Sequence, residues 1–245
     1  MLTAETLQKL TELCAVKIHQ TSGGDEYVIH NGNALMIRPP IDHASTLKLN
    51  SLDALVQLIR TEAIGFFNSH IFIEASSPTH VKCFLSPLPE LRDERLVIYE
   101  VDATDIPGWN GNDGIGFEEA LIAIRTRFQQ TTDTDYMLKL LSEISNGAKV
   151  TFSDNGIATT VVTKKGIDLQ NNEAIRPIIS LAPYRTFQEI EQPTSQFHIR
   201  ISERGIRFIE ADGGMWKLTA RKTIAEYLKS NLSDEINNKC VSVIL

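Results

Sequence analysis

The chain reads as an α+β protein, with antiparallel sheets, helices packed on one side of them, and a β-rich C-terminal half. Three observations predict this. Apolar residues recur at helical spacing in several segments and with period 2 in others. The strand-like runs gather apart from the helix-like runs instead of alternating with them, which argues against a parallel α/β sheet. The apolar period also changes from 3.6 to 2 after Gly147.

Each element follows from its residues. Leu7, Leu10, Leu13 and Cys14 lie on one face of a helix over 3–15. Asn31-Gly32 predicts a hairpin between 27–30 and 34–38, because both turn positions tolerate positive φ, and Pro39-Pro40 ends it. Ser51 is a suitable N-cap for a helix with Leu52, Leu55, Val56 and Ile59 inward, which Gly65 closes. Three short β-branched or aromatic runs, 71–75, 81–85 and 96–101, read as an antiparallel meander. Glycine and asparagine make 107–114 a loop. Helices over 117–128 and 134–145 follow, the second stopped by Gly147. Beyond it come a hairpin around Asp154-Asn155-Gly156, strands over 175–182 and 196–202, and a strand 206–210 that pairs back across Gly205. Thr219 is read as the cap of a last helix with Ile224, Tyr227 and Leu228 inward. The apolar end, 240–245, frays unless it joins a sheet of this chain or of a neighbour. The organisation is a mixed region over 1–147 and a β-rich region over 148–245, as two parts or one compact unit.

Composition narrows the function classes. The chain has 245 residues, 42% hydrophobic and 22% charged, with a net charge of −7. That balance gives no long-range attraction for phosphate backbones or anionic membranes. Lys164-Lys165 and Arg221-Lys222 are local basic candidates, and both read as solvated faces. Three cysteines, Cys14, Cys83 and Cys240, share no metal or redox spacing, and their odd number argues against a disulfide framework. No signal-peptide pattern or bilayer-length apolar run is present in the sequence, so a cytoplasmic protein is expected.

The motifs of catalysis are missing. Gly111, Gly114 and Gly116 lack the preceding strand and the lysine of a phosphate loop, and Glu118-Glu119 would repel phosphate there. The six histidines show no zinc-type spacing, and no nucleophile elbow occurs. No catalytic residue, metal or cofactor is assigned. What remains is a dense C-terminal cluster. Tyr184, Arg185 and Phe187 combine aromatic groups with a cation, and Glu189 and Glu191 share one face if that segment is extended. Glu210 and Asp212 precede a Gly-Gly turn, and Trp216 follows it. Asp212 either satisfies the turn backbone or stands with Trp216 at the mouth of a ligand site. These eight residues are the candidate binding set.

The C-terminal half resembles a prophage-encoded family of unknown function typified by YfdQ. The resemblance rests on Met137-Leu138 through the strand Val150-Thr151-Phe152-Ser153, the Gly156 hairpin, the segment Leu181-Ala182-Pro183-Tyr184, and the closing strand and helix. Farther upstream it shares a helix leading into a meander. It implies a phage or prophage gene product and no particular reaction. The expected function is a non-enzymatic accessory protein that self-associates as a homo-oligomer and binds a host or phage macromolecule. Interface residues are expected among Tyr184, Arg185, Phe187, Trp216 and the tail 241–245. Nucleic acid is a less favoured partner, and no membrane is expected. A virion or assembly component, and a small-molecule binder or hydrolase using Glu189, Glu191, Glu210 or Asp212, are the alternatives.

Overall fold

The structure is a computed structural model and describes residues 3–14, 18–22, 26–30, 33–37, 45–62, 70–87, 95–109, 113–146, 149–154, 159–165, 168–174, 176–202 and 205–245. Asn31-Gly32, Pro39-Pro40, Gly65, Gly111, Gly147 and Gly156, all invoked as turn or stop signals, lie outside those residues. The chain divides into two units, Met1–Ala44 and Ser45–Leu245.

The first unit holds α1 (Ala4–Cys14) and an antiparallel sheet of β1 (Ile18–Gln20), β2 (Glu26–His30) and β3 (Asn33–Ile37). The sheet register places Ile18, Val28 and Leu35 side by side across the three strands. The outer two are 60% and 61% exposed, an apolar row that this unit leaves open.

In the second unit β4 (Leu47–Leu49) leads to α2 (Leu52–Glu62) and then to β5 (Ile71–Ser77), β6 (His80–Leu85) and β7 (Val97–Asp102). The meander is antiparallel, as read from the sequence, but two parallel strands flank it: β4 beside β7, and β14 (Val241–Ile244) beside β5. The tail therefore belongs to this chain's own sheet, with Val241 buried. Period-2 alternation buries Ile71, Ile73, Ala75, Val81, Cys83 and Leu85 against Leu52, Leu55 and Ile59 of α2. Ile224 and Leu228, from the long helix α5 (Met215–Asn231), complete that core, and the short α6 (Ser233–Asn237) links α5 to β14. On the other face the register aligns Glu74, Lys82, Glu100 and Lys48 in alternating sign, a favourable cross-strand arrangement.

A second core lies under the antiparallel sheet of β11 (Ile178–Leu181), β12 (Ser195–Ser202) and β13 (Gly205–Glu210). Phe197, Ile199, Ile201, Ile206 and Phe208 face α3 (Phe117–Arg127) and α4 (Thr132–Asn146), which contribute Ala120, Ile124, Met137 and Leu141. Between α4 and β11 a third antiparallel sheet runs β8 (Lys149–Asp154), β9 (Thr159–Lys165), β10 (Asp168–Ala174). The α+β class and the β-rich C-terminal half are thus present. Four elements had no reading in the sequence: β1, β4, β10 and α6. The last long helix begins at Met215, not near Thr219. Thr219 sits one turn inside it, with its hydroxyl turned back to the Met215 carbonyl at 3.3 Å.

Candidate functional site

The segment 182–194, between β11 and β12, carries the first half of the candidate set. It is not extended: residues 188–190 turn, so Glu189 and Glu191 do not form a strand face. A buried side chain that the sequence reading passed over, Gln192, shapes it. Gln192 Oε1 accepts the amides of Arg185 (3.0 Å) and Thr186 (3.2 Å), while its Nε2 donates to the carbonyls of Phe187 (2.8 Å) and Ile190 (3.3 Å). A 2% exposed amide with both ends satisfied sets the loop without an orphaned polar group. The loop then drives Phe187 and Ile190 into the first core, while Leu181 and Phe197 on either side enter the second. Thr186 donates its hydroxyl to the Pro78 carbonyl of the β5–β6 turn. The segment is a staple between the two cores.

The second half is built on the turn after β13. Asp212 Oδ1 accepts the Gly214 amide at 2.9 Å, and Oδ2 accepts the Trp216 amide at 3.3 Å and the Ser195 hydroxyl at 2.5 Å. A carboxylate at this place satisfies orphan amides of the first turn of α5 and complements the helix dipole. Burial alone would raise its pKa, but the Ser195 hydroxyl, the two amides and the nearby Arg185 together hold it below the ordinary carboxylate value. Gly213 and Gly214 have φ of +62° and +79°, which is why this turn carries paired glycines.

Arg185 joins the halves. Its Nη1 donates to Glu210 Oε1, and its Nη2 to the Ser195 hydroxyl and, at 3.2 Å, to the Pro193 carbonyl. The guanidinium carbon lies 3.9 Å from the centroid of the Trp216 ring. Burial pulls the guanidinium pKa down, and Glu210 and Asp212 oppose that fall, so it stays charged in the physiological range.

Beside this network lies a cavity of about 330 Å³. One wall is Ile106, Pro107 and Trp109 from the loop after β7, with Thr79 from the β5–β6 turn. The other is Pro183, Tyr184, Arg185, Phe197, Phe208, Glu210 and Trp216. The chain has two tryptophans, and both line this cleft. Trp109 is fixed edge-on against Phe128 (4.8 Å) and Phe208 (5.4 Å), and Arg127 holds its loop by donating to the Gly108 carbonyl at 2.7 Å. The Tyr184 amide in turn donates to the Arg127 carbonyl at 2.9 Å, so both walls are tied to the end of α3.

Of the eight sequence-derived candidates the structure gathers five: Tyr184, Arg185, Glu210 and Trp216 on the cleft and Asp212 immediately behind it. The other three fall elsewhere. Phe187 is 1% exposed and packs in the first core, so its side chain is not available to a partner. Glu189 Oε1 accepts the Leu52 amide at 2.7 Å and caps α2, a contact spanning the long stretch of chain between them. Glu191 is exposed and is not among the residues that line the cleft. Trp109, Gln192 and Ser195 were missed. Trp109 had a signal, a large aromatic inside a Gly/Asn-rich loop, but nothing in the sequence connects it to Trp216.

No family model matches this sequence, no curated protein matches it, and no solved structure matches the fold. Among the described residues, no helix is long and apolar enough to cross a membrane, and no three His, Cys, Asp or Glu side chains gather as a metal site.

Proposed function

We propose that this chain is a non-enzymatic binding protein, a phage or prophage accessory factor that self-associates and holds a host or phage macromolecule in the cleft between Trp109 and Trp216. The observation that carries this reading is the combination of that cleft with the Arg185 network. Half-buried aromatics ring a preformed concavity, the composition expected of a recognition hot spot. The charged groups beside it are already engaged: Glu210 by Arg185, and Asp212 by a hydroxyl and two amides. Carboxylates engaged in this way hold the wall in place. Self-association draws support from the first unit. Forty-odd residues form a meagre core, and the open row Ile18–Val28–Leu35 is what a second copy would cover.

A second reading, a small-molecule binder, is favoured by one observation: the cleft volume falls at the low end of ordinary ligand pockets, roughly 300–1,000 Å³. Photo-crosslinking separates the two. A photoreactive aromatic amino acid in place of Tyr184 should give a covalent macromolecular adduct on irradiation in the host cell. The same group in place of Glu191 should not. Equal labelling at both positions, or none at 184, would contradict the reading.

A further inference from the structure

We propose that the outer face of the β12–β13 hairpin binds a phosphate monoester, held between Arg200 and Arg207. This site shares no lining residue with the cleft between Trp109 and Trp216 and does not depend on that reading. The strand register sets Arg200 directly opposite Arg207. Both point away from the second core, which takes Ile199, Ile201, Ile206 and Phe208 from the same two strands. Like charges directly opposite each other weaken a strand pair, and an anion shared by both turns the repulsion into attraction. Among the described residues Arg207 makes no hydrogen bond or ion pair, although Asp113 lines the same cavity. Its side chain is placed all the same. Gly114, at φ +76°, brings bare backbone against it, and a Cβ there would stand 3.2 Å from Arg207 Cγ and Nε. Arg200 is also engaged by another group, but a guanidinium has five donors and serves two partners at once.

A cavity of about 750 Å³ opens over this pair, with Asp113, Gly114, Ser202 and Ile209 beside the two arginines. Its lining holds two guanidinium charges against one carboxylate, a local positive excess on a chain of net charge −7. Glu203 and Arg204, next in the chain after Ser202, have opposite charges and leave that excess unchanged. Two guanidinium forks select the ligand. A carboxylate has two oxygens and one charge, which a single arginine satisfies in bidentate fashion. A phosphodiester offers no more than that. A phosphate monoester has three terminal oxygens and close to two negative charges at neutral pH, enough for both arginines. The cavity is wider than a phosphate needs and leaves room for the group that carries it.

Calorimetric titration of the full-length chain tests this with inorganic phosphate, phosphoserine, adenosine monophosphate and acetate at matched ionic strength. Saturable binding of the three phosphate compounds, and none of acetate, is expected. Arg207→Gln should weaken that binding about ten-fold, the loss of one charge-assisted contact in a partly exposed site. Without ligand the same variant should melt no lower than the wild type, because it removes a repulsion and no bond. Lys222→Gln removes an exposed cation outside the cavity and should leave binding unchanged. Absence of phosphate binding, equal binding of acetate, full affinity in Arg207→Gln or equal weakening in Lys222→Gln overturns the proposal. A lower melting temperature in Arg207→Gln overturns its premise, since Arg207 would then have a structural partner. Tighter binding of phosphoserine than of the nucleotide supports the site with a phosphorylated polypeptide as the carrier, and the reverse order supports it with a nucleotide. Crosslinking at position 184 reads the other cleft, so either reading falls without the other.

Discussion

Arg185 lies on the Trp216 ring, its guanidinium carbon 3.9 Å from the ring centroid, while its nitrogens reach Glu210, Ser195 and the Pro193 carbonyl. One side chain thus ties the loop between the two cores to the end of β13 and to the first turn of α5. It also forms part of the cleft wall, so the stability of this corner and the shape of the site depend on the same contacts.

Arg185→Ala should therefore be among the more damaging changes outside the cores. It strands Glu210 and the Pro193 carbonyl, and we expect a loss of roughly 2–3 kcal/mol, below the figure for a fully buried pair because the site keeps some exposure. Arg185→Lys should recover little of it, since an ammonium lacks the planar fork and stacks poorly. Urea denaturation of the two variants decides this, and full recovery with lysine would show that charge alone matters.

The Asp212 carboxyl is held below its ordinary value, and the sign of the consequence follows. A depressed folded pKa contributes stability that is complete above the unfolded value, near 3.8, and is lost as pH falls through the folded one. Acid titration of thermal stability should thus show a falling arm beginning near pH 5 and continuing below pH 4. Asp212→Asn should lower stability at pH 7 and flatten that arm. An arm as steep in the variant as in the wild type would assign the acid sensitivity to other groups.

Gly205 has φ of +130°, and a Cβ there would stand 2.1 Å from the Ile115 carbonyl oxygen. That carbonyl accepts the Ile206 amide at 2.9 Å, in a bridge that ties the start of α3 to β13. Gly205→Ala should cost about 2–4 kcal/mol, by backbone clash and strain together. Gly213→Ala is the control. Its φ is also positive, but open space surrounds it, and its cost should stay near 1 kcal/mol. Similar losses at both sites, read by calorimetry, would mean that conformation outweighs the clash.

Self-association through the first unit makes a separate prediction. Leu35 ends the open row with Ile18 and Val28, so Leu35→Lys should place a charge in the contact between copies. Sedimentation should then show the monomer mass at concentrations where the wild type is assembled. An unchanged assembly would move the interface elsewhere.

Much of the fold could be read from local patterns. Helix spacing around Leu52, Leu55 and Ile59, and period-2 alternation from Ile71 to Leu85, are decided by neighbours in sequence, and the structure carries both. β4 and β14 were harder. Three or four residues have too little pattern of their own, and they become strands because β7 and β5 offer free edges in parallel. The tail was read as joining either its own sheet or a neighbour's, and the backbone of β5 settled it. Thr219 failed as a cap for a physical reason: Asp212 reaches over the Gly-Gly turn and caps the helix one turn earlier. At the site, Arg185, Glu210, Asp212 and Trp216 stood out by residue type. Their partners did not, because the contacts join distant stretches. Gln192 looks like any surface glutamine until it is buried, and Glu189 looks like part of an acidic stripe until it meets the Leu52 amide.

Native mass spectrometry of the protein purified from its own host, before and after denaturation, tests the central claim most directly. The account predicts a homo-oligomer carrying a macromolecular partner, with the partner lost in Trp216→Ala while the oligomer persists. A small-molecule mass that leaves on denaturation, or a partner retained in full by Trp216→Ala, would contradict it.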